Sequence, residues 1–470
     1  MNNNFNLAFA KNLSISEAKT YITKYFVPLS SGGHAFLANN KYDLIDDKIV
    51  KSTYFNRLSK EINQYYFKEF SDIKTIVYKL NQPTFYDNFI NLCPKLKHAY
   101  KPYKTFDETI KQNVNKFLNF IKDIICSNNN DSFEFVIKWI ANMIKGNKNT
   151  SCIYLKGSQG IGKSTLPQFI KKYVIGDDLS LETGSTPLKS NFNSILAGKL
   201  FVVFEELENM NANEWSSVSS VLKRIITSDR ILIEAKNQNS YEADNINNYM
   251  LLSNNDAIKD DDGRRYFIAD VSSKREGDTI FWTDLNKSCF NDITGHAFFC
   301  YLHEIDLTNF NSQNFPITNN KMDSINKRLD TVELFLKENY ILNNLSINCS
   351  IQDLLDSYTI FCTTIGKKAY NKIDFNKHLT TLNIIHYKSN KTNKYKISHE
   401  ELMAIANKKH WIHNLDEFNT ENSIEEEIDY KSLYENSQKE LEQLKLSLKS
   451  KTIIKSEELE LLEEELLGIK

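Results

Sequence analysis

The segment 151-SCIYLKGSQGIGKSTLPQFIKKYVIG-176 constrains this chain more than any other stretch. A short apolar run, a glycine-rich loop and an apolar stretch at helical spacing follow one another without a gap. That order predicts strand, loop and helix in one unit. Gly157, Ser158, Gln159, Gly160, Ile161, Gly162, Lys163 and Ser164 fit the pattern G-x-x-x-x-G-K-[ST], with Thr165 next. Each part has a physical task. Glycines let backbone N–H groups turn inward around phosphates, a lysine reaches the β and γ oxygens, and a serine hydroxyl ligates Mg²⁺. The start of the following helix adds a favourable dipole.

Two more apolar runs end in polar residues. In 200-LFVVFEELENM-210 five apolar residues lead to Glu205 and Glu206. A buried strand ending there sets both acids beside the phosphate loop. Glu205 is expected to hold Mg²⁺ and its water shell, and Glu206 to orient an attacking water. In 250-MLLSNNDAIKDDDGRRYF-267 the run ends in Ser253-Asn254, and Arg264 and Arg265 follow an acidic loop. An amide at that tip can contact the γ-phosphate. An arginine there can serve the nucleotide of a neighbouring subunit, or simply offset Asp260, Asp261 and Asp262. Between the two runs, 223-KRIITSDRILIEAKNQNSYEADN-245 suggests a hairpin with Lys236 near its tip. A solvated hairpin and a contact to a DNA backbone are both open for it.

The rest of the chain excludes several classes. Of 470 residues 41% are apolar and 12% aromatic, enough for real cores. The net charge is −2, but residues 421–470 hold 14 acidic against 7 basic side chains, so residues 1–420 carry +5. Seven cysteines lie scattered with no C-x-x-C spacing, which argues against a zinc site or a disulfide framework. No apolar run is long enough to span a membrane and the N-terminus has no leader-like apolar core. An intracellular, cytoplasmic location is expected.

The order of features resembles the superfamily 3 helicases of the AAA+ class. The nearest resemblance is to the poxvirus-type primase-helicases and their relatives in large DNA viruses, phages and plasmids. It covers about 130–300 and, more weakly, 330–410. It implies an α/β fold with an AAA+ P-loop ATPase core, ATP and Mg²⁺ as cofactors, and a homo-oligomeric ring, a hexamer, around single-stranded or forked DNA. Lys163 and Ser164 take the phosphate and metal roles, with Glu205 and Glu206 as the acidic pair and Asn254 as the polar sensor. Arg264 or Arg265 is the finger and Lys236 touches DNA. The resulting expectation is an ATP-hydrolysing DNA helicase of a viral, phage or plasmid genome. One departure is that no primase-polymerase domain fits in the first hundred residues, so a separate primase or polymerase is an expected partner. A protein-remodelling or loader ATPase, and an ATP-locked origin-binding protein, are the alternatives.

The expected organisation is an α-rich N-terminal accessory region (1–105), a helical collar (106–148), the ATPase core (149–310), a winged-helix-like domain (325–412) and an acidic helical tail (421–470). Within residues 1–105, HAFLANNKYDLI and KTIVYKL have the look of strands. In the fourth part, 351-IQDLLDSYTIFCTTIG-366 and 374-DFNKHLTTLNI-384 suggest helices. The segment 385-IHYKSNKTNKYKIS-398 suggests a wing whose Lys388, Lys391 and Lys394 meet DNA phosphates, or a merely solvated lysine-rich loop.

Overall fold

The three apolar runs of the sequence become parallel neighbours in one sheet of the computed structural model. The structure describes residues 4–190, 192–205, 207, 212–236, 238–254, 265–326, 329–389, 392–409, 411–412 and 416–419. The chain divides into two units, Met1–Arg328 and Leu329–Lys470.

In the first unit the central sheet runs Tyr266–Asp270, Cys152–Lys156, Asn248–Ser253, Phe201–Glu205, Ser180–Thr183, all parallel. Cys152–Lys156, Asn248–Ser253 and Phe201–Glu205 are near-continuously apolar, as strands covered on both faces must be. Their side chains are buried except at the polar ends Lys156 and Glu205. Helices Glu108–Phe120 and Asn130–Ile144 cover one face. Phe117, Ile121, Ile124, Val136, Ile137, Ile140 and Ile144, spaced at three and four residues, are buried against Ile153, Leu155 and Met250. Helix Ala212–Thr227 sends Val218, Leu222, Ile225 and Ile226 toward Tyr154, Val202 and Leu251 on the opposite face.

The N-terminal region is mixed rather than α-rich. Helix Ile15–Tyr25 opens with a capping box of Ser14 and Glu17. It leads into an antiparallel sheet of Phe26–Pro28, His34–Ala38 and Lys41–Ile45. Asn39 and Asn40, with φ of 49° and 64°, make the tight turn between the last two strands. A second small sheet joins Thr75–Val77, Phe89–Asn91 and Phe85–Tyr86. These strands are two to five residues long, and the aromatic residues between them supply no alternating signal. Phe26, Phe55 and Tyr66 fill the small core beside the first of these sheets, while Ile76 and Ile90 of the second join Tyr154 and Val202 of the central sheet.

In the second unit helices Thr331–Leu336, Ile351–Thr364, Lys372–Thr381 and His399–Lys408 surround Phe335, Tyr358, Phe375 and Trp411. Its antiparallel sheet runs Ile347–Ser350, Thr392–Ile397, Tyr387–Ser389. A buried ion pair, Lys337 Nζ to Asp416 at 2.9 Å, fixes the segment that follows the last helix. The expected tail at 421–470 lies outside the described residues.

At the N-terminal edge of the central sheet the buried ammonium of Lys148 donates to Ile225 O at 3.1 Å and Asn247 O at 2.9 Å. Burial pulls its pKa down to about 7, against a weaker opposing pull from Asp229. The folded chain therefore holds this proton less tightly than the unfolded chain does. The cost is full below pH 7, shrinks as pH rises, and vanishes above the ordinary lysine value. The stability difference between wild type and Lys148→Met is expected to move in favour of wild type between pH 7 and 10. Urea unfolding at a series of pH values measures it; a flat difference would contradict this account.

Candidate functional site

Parallel strands end together, so the C-terminal edge of the sheet gathers the residues that follow them. Lys156 leads into the glycine loop, Ser253 into Asn254, and Glu205 closes its own strand opposite Leu252. Gly157 N–H donates to Ser253 O at 3.3 Å, which ties the loop to the middle strand. Ile161 drops its side chain into the core at 2% exposure and anchors the loop from below. Only its backbone is available to a ligand.

Lys163 is the centre of the site. Its Nζ donates to Gly157 O and Ser158 O, both at 2.5 Å, and to Asn254 Oδ1 at 3.1 Å. The residue is 8% exposed. Around it a cleft of about 430 Å³ is lined by Gln159, Gly160, Gly162, Ser164, Thr165, Glu205, Ser253, Asn254, Trp282 and Asn286. That size lies in the range of small-ligand clefts, on the order of 300–1,000 Å³. Helix Thr165–Phe169 begins at the loop's end and continues as a wider turn, Ile170–Ile175.

Gly162 is needed twice over. Its φ is +95°, a region disfavoured for side chains, and a Cβ there would lie 2.2 Å from Trp282 Cη2. Trp282 and Asn286 carry no motif and were not singled out from the sequence. Their signal is a spacing of four on helix Thr279–Cys289, which puts both on one face.

The structure brings the loop, Glu205 and Asn254 together and leaves other candidates elsewhere. Arg265 precedes strand Tyr266–Asp270, and its carbonyl accepts from Cys152 N–H at 2.7 Å. It therefore stands at the N-terminal edge of the sheet, roughly 13 Å of strand away from the cleft by the rise per residue. Lys236 is exposed after strand Arg230–Ile233. The neighbouring Gln238 and Asn239 donate to Leu44 O at 3.2 Å and Ser31 O at 3.0 Å, so this hairpin end is docked on the N-terminal region. Lys388 and Lys394 lie on the paired strands Tyr387–Ser389 and Thr392–Ile397 of the second unit, Lys388 exposed and Lys394 half-buried. Glu206, Arg264 and Lys391 lie outside the described residues. Among the described residues no helix is long and apolar enough to cross a membrane.

A family model described as a family of unknown function, DUF5906, matches residues 155–265, from the phosphate loop to Arg265. A curated relative is 25% identical over 256 residues, which is 54% of this chain and 33% of that protein. It is the DNA primase-polymerase of Nitratiruptor phage NrS-1. The chain is similar to part of a phage primase-polymerase. It spans about a third of that relative's length. Two apo structures of the NrS-1 C-terminal region align with TM-scores of 0.59 and 0.58 at 18% identity. Each covers 81% of this chain, and 98% and 97% of the region itself is matched. At that identity they establish a shared mixed α/β fold with a parallel sheet.

These matches overturn the resemblance to superfamily 3 helicases. The relative found is a primase-polymerase, and the structural neighbours are its C-terminal region. The helicase and ATP-hydrolase expectation falls with it, and the remodelling, loader and origin-binding alternatives gain no support. The physical reason is that a glycine loop, an acidic strand end and an amide tip are residue types suited to a phosphate, and such a pattern does not specify a reaction.

Gly162→Ala is expected to displace Trp282 and the loop together. A thermal shift of a few degrees downward and a changed tryptophan emission would report it. Gly160→Ala, where a Cβ meets nothing within 4 Å, keeps the backbone penalty without the clash and should leave the emission unchanged. Equal emission changes in both variants would contradict the packing argument.

Proposed function

We propose that this chain serves DNA priming and polymerisation, as a region that binds a nucleoside triphosphate with Mg²⁺ at a P-loop and contacts DNA through its second unit. The observation that carries the assignment to priming is the likeness to the phage DNA primase-polymerase. The observation that supports the triphosphate site is the buried ammonium of Lys163 in a glycine-lined cleft. The donor set fits the group. Among the described residues Lys163 donates to the neutral oxygens of Gly157, Ser158 and Asn254, which a phosphate oxygen can replace or join. Ser164 and Glu205 face the same cleft and supply the hard oxygen ligands that Mg²⁺ takes.

In this reading the backbone N–H groups from Ser158 to Thr165 cradle the phosphates and Lys163 offsets their charge. Mg²⁺ supplies charge neutralisation between phosphate oxygens when bound. Asn254 positions the Lys163 ammonium and offers its own amide to the terminal phosphate. The work falls to binding and orientation by this chain's own groups. Arg265 stands at the far edge of the sheet and is not among the groups lining this chain's own cleft.

The DNA contact rests on charge. Residues 366–396 hold eight lysines and one aspartate. Helix Lys372–Thr381 and the strands Tyr387–Ser389 and Thr392–Ile397 carry most of them in a winged-helix-like order of elements. The DNA is single-stranded or forked in this proposal, as priming requires an unpaired template.

Lys163→Ala is expected to weaken binding of a magnesium nucleoside triphosphate by about 10- to 100-fold, the worth of hydrogen bonds to a charged group. Glu205→Gln should weaken it only when Mg²⁺ is present. Isothermal titration with and without Mg²⁺ measures both, and unchanged affinity in Lys163→Ala would sink the site assignment.

Replacing Lys388 and Lys394 together by alanine should weaken binding to single-stranded DNA uniformly across sequences. The slope of log affinity against log salt should fall by about 1.4 if both meet phosphates, at roughly 0.7 per contact. Fluorescence anisotropy over a salt series reads the slope; an unaltered slope would remove these lysines from the interface.

A further inference from the structure

Helix Thr279–Cys289 turns Leu285 and Cys289 into the core and presents Trp282 and Asn286 to the cleft of the phosphate loop. Neither side chain is loose. Trp282 Nε1 donates to Arg275 O at 2.8 Å. Its ring meets Phe120 and Phe281 at centroid distances of 5.9 and 5.0 Å in edge arrangements. The benzo rim of the indole lies against Gly162, where no side chain intervenes. Asn286 Nδ2 donates to Trp282 O at 3.0 Å, which holds the amide against its own helix.

A triphosphate seated on Lys163 would need nothing from Trp282, since an indole offers little to a phosphate. An aromatic plane and an amide one helical turn apart are instead the groups that take a nucleobase. A ring stacks on indole, and an amide can pair with the amino N–H and the adjacent ring nitrogen of adenine at once. Uracil can meet the same amide through its N3–H and O4, so the amide recognises a base edge, while the larger purine gains more from the indole by stacking.

We propose that Trp282 and Asn286 form the base subsite of this cleft, with Trp282 as stacking platform and Asn286 as the amide that hydrogen-bonds the base edge, in ribo- or deoxynucleotides. The inference rests on the assignment of the cleft to a nucleoside triphosphate and extends it to the base. The pinned indole makes the subsite ready before the nucleotide arrives, so little side-chain freedom is lost on binding.

The test is isothermal titration of the full chain with ATP, UTP and inorganic tripolyphosphate, each with Mg²⁺. Wild type is expected to bind ATP on the order of tenfold more tightly than tripolyphosphate, with UTP between the two. Trp282→Ala should bring the ratio of tripolyphosphate to ATP dissociation constants to about one, and Trp282→Phe should restore most of it. Asn286→Leu should weaken ATP and UTP alike by several-fold while leaving tripolyphosphate binding unchanged. Equal affinity of wild type for ATP and tripolyphosphate, or an unchanged ratio in Trp282→Ala, would overturn the base subsite. Loss of all ligands in both Trp282→Ala and Trp282→Phe would also overturn it, by making the indole a support of the loop alone. Lys163→Ala separates the two levels. If it abolishes tripolyphosphate binding while the ratios fail, the phosphate site stands and the base subsite falls. If tripolyphosphate binding ignores Lys163, the phosphate site itself is wrong and the base subsite goes with it.

Discussion

The ammonium of Lys163, held by Gly157 O, Ser158 O and Asn254 Oδ1, joins the two halves of the site. The carbonyls belong to the loop after strand Cys152–Lys156, and the amide follows strand Asn248–Ser253. These strands are neighbours in register, Lys156 opposite Ser253. One buried cation therefore closes the loop and fixes the amide beside it. Everything else at this edge takes its place from the same register. Glu205 lies opposite Leu252, one residue before Ser253, and its carboxylate faces the cleft from the other side.

The opposite edge of the sheet is held by amides rather than by a ligand loop. Asn248 Oδ1 accepts from Asn149 N–H at 2.7 Å and from its Nδ2 at 2.8 Å, and Asn247 Nδ2 donates to Leu196 O at 2.8 Å. Lys148 completes this layer. Buried amides satisfied in this way hold the strand starts in one register, and a slip would leave several donors without acceptors. The rigid bottom edge lets the top edge carry a glycine-rich loop without losing its geometry.

Much of this was legible in the sequence, and the reason differs by element. The strand, loop and helix at 151–176 combine periodicity with a motif whose every residue has a steric or electrostatic task. The apolar runs ending at Glu205 and Ser253 are long enough to identify themselves as buried strands. The strands Ser180–Thr183 and Tyr266–Asp270 are also in the sheet, but the first is short and polar and the second follows a charged stretch of sequence. Trp282 and Asn286 were invisible because a spacing of four on a helix also describes any packed face. Arg265 stands at the opposite edge of the sheet from this chain's own cleft, which adjacency in sequence to Asn254 does not reveal. The function was misread for a related reason. The glycine-loop pattern suggests a kind of ligand and not a reaction, and the curated relative that corrected the reading is matched over only a third of its length.

The central claim is that a nucleoside triphosphate sits on Lys163 between the glycine loop and the ends of the two neighbouring strands. A crystal structure of the full chain with Mg²⁺ and a non-hydrolysable adenosine triphosphate tests it most directly. The account predicts phosphate oxygens within hydrogen-bond distance of Lys163 Nζ and of backbone N–H groups from Ser158 to Thr165, with the metal at Ser164 Oγ. A nucleotide bound at another place, or phosphates in the cleft that make no contact with Lys163, would contradict it.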